Sequence, residues 1–146
     1  MRFAVLYSKQ DTAGINIAKQ LKSFYLPHFP IFKLKKDSIY AESIDKNEKL
    51  KNIDFLVFAS KHKSETGKPS LSLHAPGNWR TADFGGKSGK ICLTSALVLK
   101  YLFQQLNKNA KQAKLEDYEI TLEVTHHGPY IEKPCCFIEL GSSDGQ

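Results

Sequence analysis

The chain has 146 residues, 41% hydrophobic and 25% charged, a balance that excludes a disordered polyelectrolyte and allows one core without disulfide staples. No apolar run approaches the ~20 residues of a membrane-spanning helix, and the apolar start MRFAVLY turns polar too soon for a signal peptide. Three cysteines make no disulfide framework, so a reducing cytoplasm is the expected compartment, and the formal charge of +6 fits either a polyanionic partner such as nucleic acid or a generically basic surface.

Residues 2–7 read as a first strand. Asp11 or Thr12 can cap the next segment, where Ile17, Ala18, Leu21, Phe24 and Tyr25 recur at helical spacing and predict an amphipathic helix over 13–25, ended by Pro27. Residues 31–34 suit a short strand. Residues 53–59 are continuously apolar and rich in β-formers, as in a strand buried on both faces. From 60 to about 90 the chain is irregular, with many Gly and Pro and one short strand predicted at 71–74. Irregular segments of that length in compact domains are usually functional or disordered, and the presence of His62, His74, Trp79 and Phe84 argues for function. A second helix is predicted from a cap at Thr94 or Ser95 to about Asn107. Residues 118–125 alternate, with Tyr118, Ile120, Leu122 and Val124 on one face, and 135–140 read as a last strand in which Cys135 and Cys136 are small apolar residues. The order predicts one α/β domain over 1–146, a central mostly parallel or mixed sheet flanked by helices.

Chemistry concentrates in three segments. Lys61, His62 and Lys63 follow directly on the apolar strand, at the carboxyl end where open α/β sheets bind ligands. His74 leads through Pro76 and Gly77 to Trp79 and on to Phe84-Gly85-Gly86. Glu123, Thr125, His126 and His127 precede Gly128-Pro129, where a strand should end. If that strand runs to Gly128, Glu123, Thr125 and His127 share one face and His126 takes the other. Carboxylate and imidazole on one face can orient a water, bind a metal or exchange a proton. Glu139, in an otherwise apolar strand, needs a partner and can orient a histidine. No phosphate-binding loop, dinucleotide fingerprint, HExxH or paired CxxC is present, so spacing alone establishes no metal.

Together these motifs resemble the archaeal and plant type of D-aminoacyl-tRNA deacylase. The likeness runs through 57–64, 69–79, 84–86, 123–129 and 137–143 and covers essentially the whole chain. It implies a phosphorylase/hydrolase-like fold with likeness to peptidyl-tRNA hydrolase, and hydrolysis of the ester joining a D-amino acid to tRNA. It also implies zinc as cofactor, and a family C-terminal portion beyond this chain. On that basis His126, His127, Glu123, His74 and Glu139 are the candidate metal ligands. His126, His127, His62 and Thr125 are the candidates for catalysis. Lys61, Lys63, Lys68 and Trp79 are the candidate contacts to tRNA. The competing expectations are a hydrolase of peptidyl-tRNA or another aminoacyl adduct, and a non-catalytic tRNA-binding module.

Overall fold

In a computed structural model, residues 1–24, 29–63 and 67–141 are described. Alternation along Phe3–Ser8 (β1) sends Ala4 and Leu6 to one side of a sheet and Val5 and Tyr7 to the other. Asp11 caps the helix Thr12–Ser23 (α1) by accepting from Gly14 N at 2.8 Å. The helix stops at Ser23, two residues short of the predicted end; Tyr25 and Pro27 lie outside the described residues. Ile31–Leu34 (β2) follows, then short 3-10 turns at Ser38–Tyr40, Ile44–Lys46 and Glu48–Leu50. The apolar run forms Phe55–Lys61 (β3), displaced two residues from the predicted 53–59 because Ile53 packs with the turns instead.

The irregular stretch holds more structure than expected. Ser70–His74 (β4) is the predicted short strand, and Gly77–Asn78 (β5) pairs with Lys90–Ile91 (β6) in a small separate ribbon. Ser95 caps Ala96–Gln112 (α2), which runs past Asn107 to Gln112. Glu119–Leu122 (β7) and Cys135–Gly141 (β8) complete the chain. The order β2-β1-β3-β8-β4-β7 is mixed: β2, β1, β3 and β8 run parallel, β4 opposes β8, and β7 is parallel to β4.

Both helices pack on one face. Ala18, Ile17 and Leu21 from α1 and Val98, Leu102 and Leu106 from α2 cover Val5, Tyr7, Val57, Leu73 and Cys136. The other face carries Leu6, Leu56, Phe58, Cys135 and Phe137 beneath Leu50, Ile53, Cys92 and Ile131, which come from turns and loops. Fully buried Phe58 and Phe137 stack with ring centroids 4.7 Å apart. Such a pair contributes roughly 1 kcal/mol beyond its burial. The alternating segment expected over 118–125 pairs only over Glu119–Leu122, and Leu122 and Val124 are 52% and 77% exposed because β7 is the edge strand and the chain leaves the ladder after Leu122. No helix is long and apolar enough to cross a membrane, among the described residues.

Candidate active site

Strand register builds the floor of the site on the face away from the helices. Phe58, Phe137 and His74 are ladder partners, and one step on Ser60, Glu139 and Ser72 are partners. Paired residues on adjacent strands point to the same side, so an apolar row supports a polar one. His74 is fully buried and lies flat on Phe137, with centroids 5.3 Å apart and planes at 10°.

Residues after β7 form the wall. Glu123 N still bonds to Leu73 O at 2.9 Å, but the ladder then gives way to a single bridge between Pro76 and His126, and Gly77 N donates to His127 O at 2.7 Å. His127 has φ 46°, in the left-handed region, and Gly128–Pro129 is a cis peptide. The strand expected to run to Gly128 therefore ends at Leu122, and Glu123, Thr125 and His127 share no strand face. The turn does what the face would not: it brings both histidines against His74. His126 stacks on His74 at 4.1 Å between centroids, and His127 meets it edge-on at 4.8 Å. The turn closes over glycines. A Cβ on Gly128 would overlap Gly86 N, Gly85 C and Ile39 O.

The three imidazoles share one tautomer. Each Nδ1 faces a backbone carbonyl: Ala75 O for His74 at 3.1 Å, Val124 O for His126 at 2.7 Å and Gly128 O for His127 at 2.7 Å. A carbonyl can only accept, so each Nδ1 is the donor of its pair, and whenever a ring is neutral its Nε2 is the free acceptor. One ligand atom from each of the three residues lies within 4.8 Å of the others, and the buried Nε2 of His74 has no hydrogen-bond partner. Imidazoles whose second nitrogen is tied to a carbonyl are the usual form of a zinc-ligating histidine, and three of them with an open position suit a catalytic zinc. The donor set therefore fits the metal. His126 keeps one edge in solvent, but burial of its stacked face, with the charge of His74 next, pushes its pKa below the ordinary 6.5.

Glu139 is the hub of a second group, His62, Glu123 and Glu139. Its Oε2 lies 3.2 Å from His62 Nδ1 and 3.7 Å from His74 Nε2, and its Oε1 lies 3.9 Å from His127 Nε2. Burial alone would push this carboxyl up; the imidazoles of His127, His62 and His74 outweigh it and hold the group well below the carboxylate range. The hydrogen bond to Glu139 raises the His62 pKa above 6.5 against its burial, helped by the charge of Glu123, whose Oε1 is 3.5 Å from His62 Nε2. Ser72 Oγ sits 3.4 Å from both His62 Nδ1 and Glu139 Oε2.

A cavity of about 560 Å³ opens over these groups, lined by His62, Thr125, His126, His127 and Glu139 on one side and by Trp79, Phe84, Asp37, Lys61 and Lys63 on others. Trp79 and Phe84 are each 65% exposed at its wall. The fold thus gathers every candidate ligand and catalytic residue, and Lys61, Lys63 and Trp79 border them. Lys68 is exposed ahead of β4 and does not line the cavity. Three participants had no signal of their own. Ser72 reads as one serine in a short strand. Asp11 carries only a capping signal in the sequence, yet its second oxygen accepts from Lys61 N at 2.8 Å and joins β1 to β3 where the strand order reverses. Glu42, from an unremarked polar stretch, accepts from Gly86 N at 2.7 Å and Tyr130 N at 3.0 Å, pinning both glycine turns.

A family model described as D-aminoacyl-tRNA deacylase matches residues 49–146. A protein of Archaeoglobus fulgidus named D-aminoacyl-tRNA deacylase is 39% identical, over 96% of this chain and 55% of its own length. One of the same name from Caldivirga maquilingensis is 32% identical, over 100% and 58%. A crystal structure described as a conserved protein of unknown function, AF0625, superposes with a TM-score of 0.89 at 34% identity, over 97% of this chain and 55% of that one. The chain spans between half and three-fifths of the length of these relatives. On the matched motifs and the shared fold, the chain belongs to the D-aminoacyl-tRNA deacylase family.

Proposed function

We propose that this chain carries the ester-hydrolysing site of a D-aminoacyl-tRNA deacylase, which splits D-aminoacyl-tRNA into a free D-amino acid and tRNA. The observations that carry the reading are the convergence of the His74, His126 and His127 imidazoles, a Glu139-held His62 and a cavity large enough for an aminoacyl group. An aminoacyl ester is already activated, so the site need only orient water, accept its proton and stabilise the oxyanion. His62 is the base of this reading. Glu139 fixes its ring through Nδ1, leaving Nε2 beside Glu123 at the cavity wall. The water oxygen bonds to the ester carbon, its proton passes to His62 Nε2, and the bond from that carbon to the ribose oxygen breaks. The same proton then goes to the ribose oxygen. His74, His126 and His127 would hold zinc, which would supply Lewis-acid stabilisation of the developing negative charge.

Other groups suit the ends of the substrate. Asp37 and Asp83 line the cavity and match the α-ammonium. Exposed Trp79 offers a stacking face for the terminal adenine, and Lys61 and Lys63 offer charge to acceptor-stem phosphates. Thr125 lies beside His126 as a hydroxyl for the ester carbonyl or the water. Chirality enters as a clash: a wall that receives the D side chain excludes the L form. The test is release of labelled tyrosine from D-tyrosyl-tRNA and L-tyrosyl-tRNA. Release from the D form alone is expected, with peptidyl-tRNA spared. Equal release from both enantiomers would overturn the chiral assignment, and release only from peptidyl-tRNA would replace the substrate.

A further inference from the structure

Sequence scatters lysines in separate clusters, and the parallel half of the sheet gathers two of them. Strands β2, β1 and β3 are neighbours running the same way, so their carboxyl ends finish on one edge. Lys35 and Lys36 follow β2, Lys9 follows β1, Lys61 ends β3 and Lys63 lies two residues past it. Lys9 N donates to Leu34 O at 3.1 Å, which fixes the first two ends side by side. Asp11, two residues past Lys9, accepts from Lys61 N at 2.8 Å and fixes the third. All five lysines are exposed, and among the described residues none of their ammonium groups stands in an ion pair. The edge also borders the cavity, because Asp37, next after Lys36, and Lys61 both line it.

Like charges on neighbouring strand ends repel one another, and among the described residues no ion pair relieves these five. Two inter-strand steps put roughly 10 Å between the ends of β2 and β3, and with the reach of lysine side chains that width spans about two to four successive phosphates of a nucleic-acid strand. We infer that the carboxyl edge of β2, β1 and β3 is a phosphate-binding rim, in which Lys9, Lys35 and Lys36 extend the Lys61–Lys63 corner and lead the acceptor arm of the tRNA toward the cavity. The inference rests on the tRNA reading above and adds to it a direction of approach, from the β2 side. Asp11 does not oppose the rim, since it is buried and both its oxygens accept backbone N–H groups.

The test compares two triple variants that remove the same charge. One is Lys9→Gln, Lys35→Gln, Lys36→Gln. The other is Lys108→Gln, Lys111→Gln, Lys114→Gln, exposed in the last turns of α2 and just past it, where the helix packs behind β4 and β7 at the other end of the strand order. Binding of tRNA to the full chain is measured by fluorescence anisotropy across a salt series, with thermal melts to confirm folding. The rim variant is expected to bind at least tenfold more weakly at low salt, with the log–log salt slope reduced by roughly two to three units. The α2 variant should keep the wild-type slope. Equal losses in both variants would reduce the effect to net charge and overturn the rim, as would an unchanged slope in the rim variant. Ester hydrolysis by the wild-type chain is scored separately. Rim-dependent tRNA binding without hydrolysis would reject the deacylase reading and keep the rim, while hydrolysis with a rim-independent slope would do the reverse.

Discussion

Glu139 Oε2 lies 3.2 Å from His62 Nδ1, and this buried carboxylate both orients the half-buried imidazole and raises its pKa. The pair bridges β8 and the residue just past β3, strands in register, so the sheet sets its geometry and no flexible loop does. Glu139→Gln keeps the shape and removes the charge. Turnover of D-tyrosyl-tRNA is expected to fall by about 10², the scale of a lost acid–base function. The proton NMR midpoint of His62 in metal-free protein should drop as well. An unchanged midpoint would mean that Glu139 does not raise the His62 pKa.

The histidines carry opposite pH dependences of stability. His62 is raised above 6.5, so its contribution is complete below 6.5 and is lost as pH rises through its folded value. His126 is lowered, so its neutral ring favours the fold above 6.5, and that contribution is lost as pH falls through its folded value. Glu139, held low, contributes fully above the ordinary 4.5, and that contribution is lost only in acid, as pH falls through its folded value. In metal-free protein, the stability difference between wild type and His126→Ala should therefore grow as pH rises toward 7. The difference between wild type and His62→Ala should shrink as pH rises above 6.5. Urea melts at four pH values measure both. Parallel curves for the two variants would contradict the assigned environments.

Legibility in the sequence followed range. The strands and helices are local patterns, and the apolar run at β3 and the caps at Asp11 and Ser95 stand close to where periodicity puts them. The candidate residues were legible because a carboxylate in an apolar strand needs a partner and because the histidines cluster where strands end. Their mutual placement was not. A strand rule gave His126 and His127 opposite faces, whereas the chain turns at the left-handed His127 and both rings meet His74. Glu42 contributes through two backbone amides 44 and 88 residues away, a relation no local pattern encodes.

His127 separates strain from chemistry. At φ 46° a side chain with a Cβ is held in the left-handed region, where glycine is at ease. His127→Gly should therefore be more stable than His127→Ala by roughly 1 kcal/mol, while both lose turnover about equally, by ~10². Chemical denaturation and the charged-tRNA assay on the same preparations decide it. An alanine variant as stable as the glycine one would show that the turn relaxes when the imidazole is removed.

The donor sets also make a metal assignment testable apart from catalysis. His74, His126 and His127 offer three imidazole nitrogens, a set suited to zinc, whereas His62, Glu123 and Glu139 mix one imidazole with carboxylates and suit harder ions better. Zinc binding to the folded form should raise its stability, by about 2.7 kcal/mol at a free concentration 100 times Kd. The expected pattern is a zinc-dependent rise in melting temperature in wild type. It should be abolished in His74→Ala and strongly reduced in His126→Ala, and kept in His62→Ala. Because His74 is fully buried on Phe137, its alanine variant also opens a void, so His74→Gln serves as the companion that fills the space without the lone-pair geometry. Turnover should follow a different order, with His62→Ala as impaired as the imidazole-set variants despite keeping zinc. A rise lost in His62→Ala and kept in both His74 variants would move the ion to the carboxylate set. Full hydrolysis by chelated protein, with no zinc-dependent shift, would remove the metal and leave the three imidazoles as hydrogen-bonding groups for the ester.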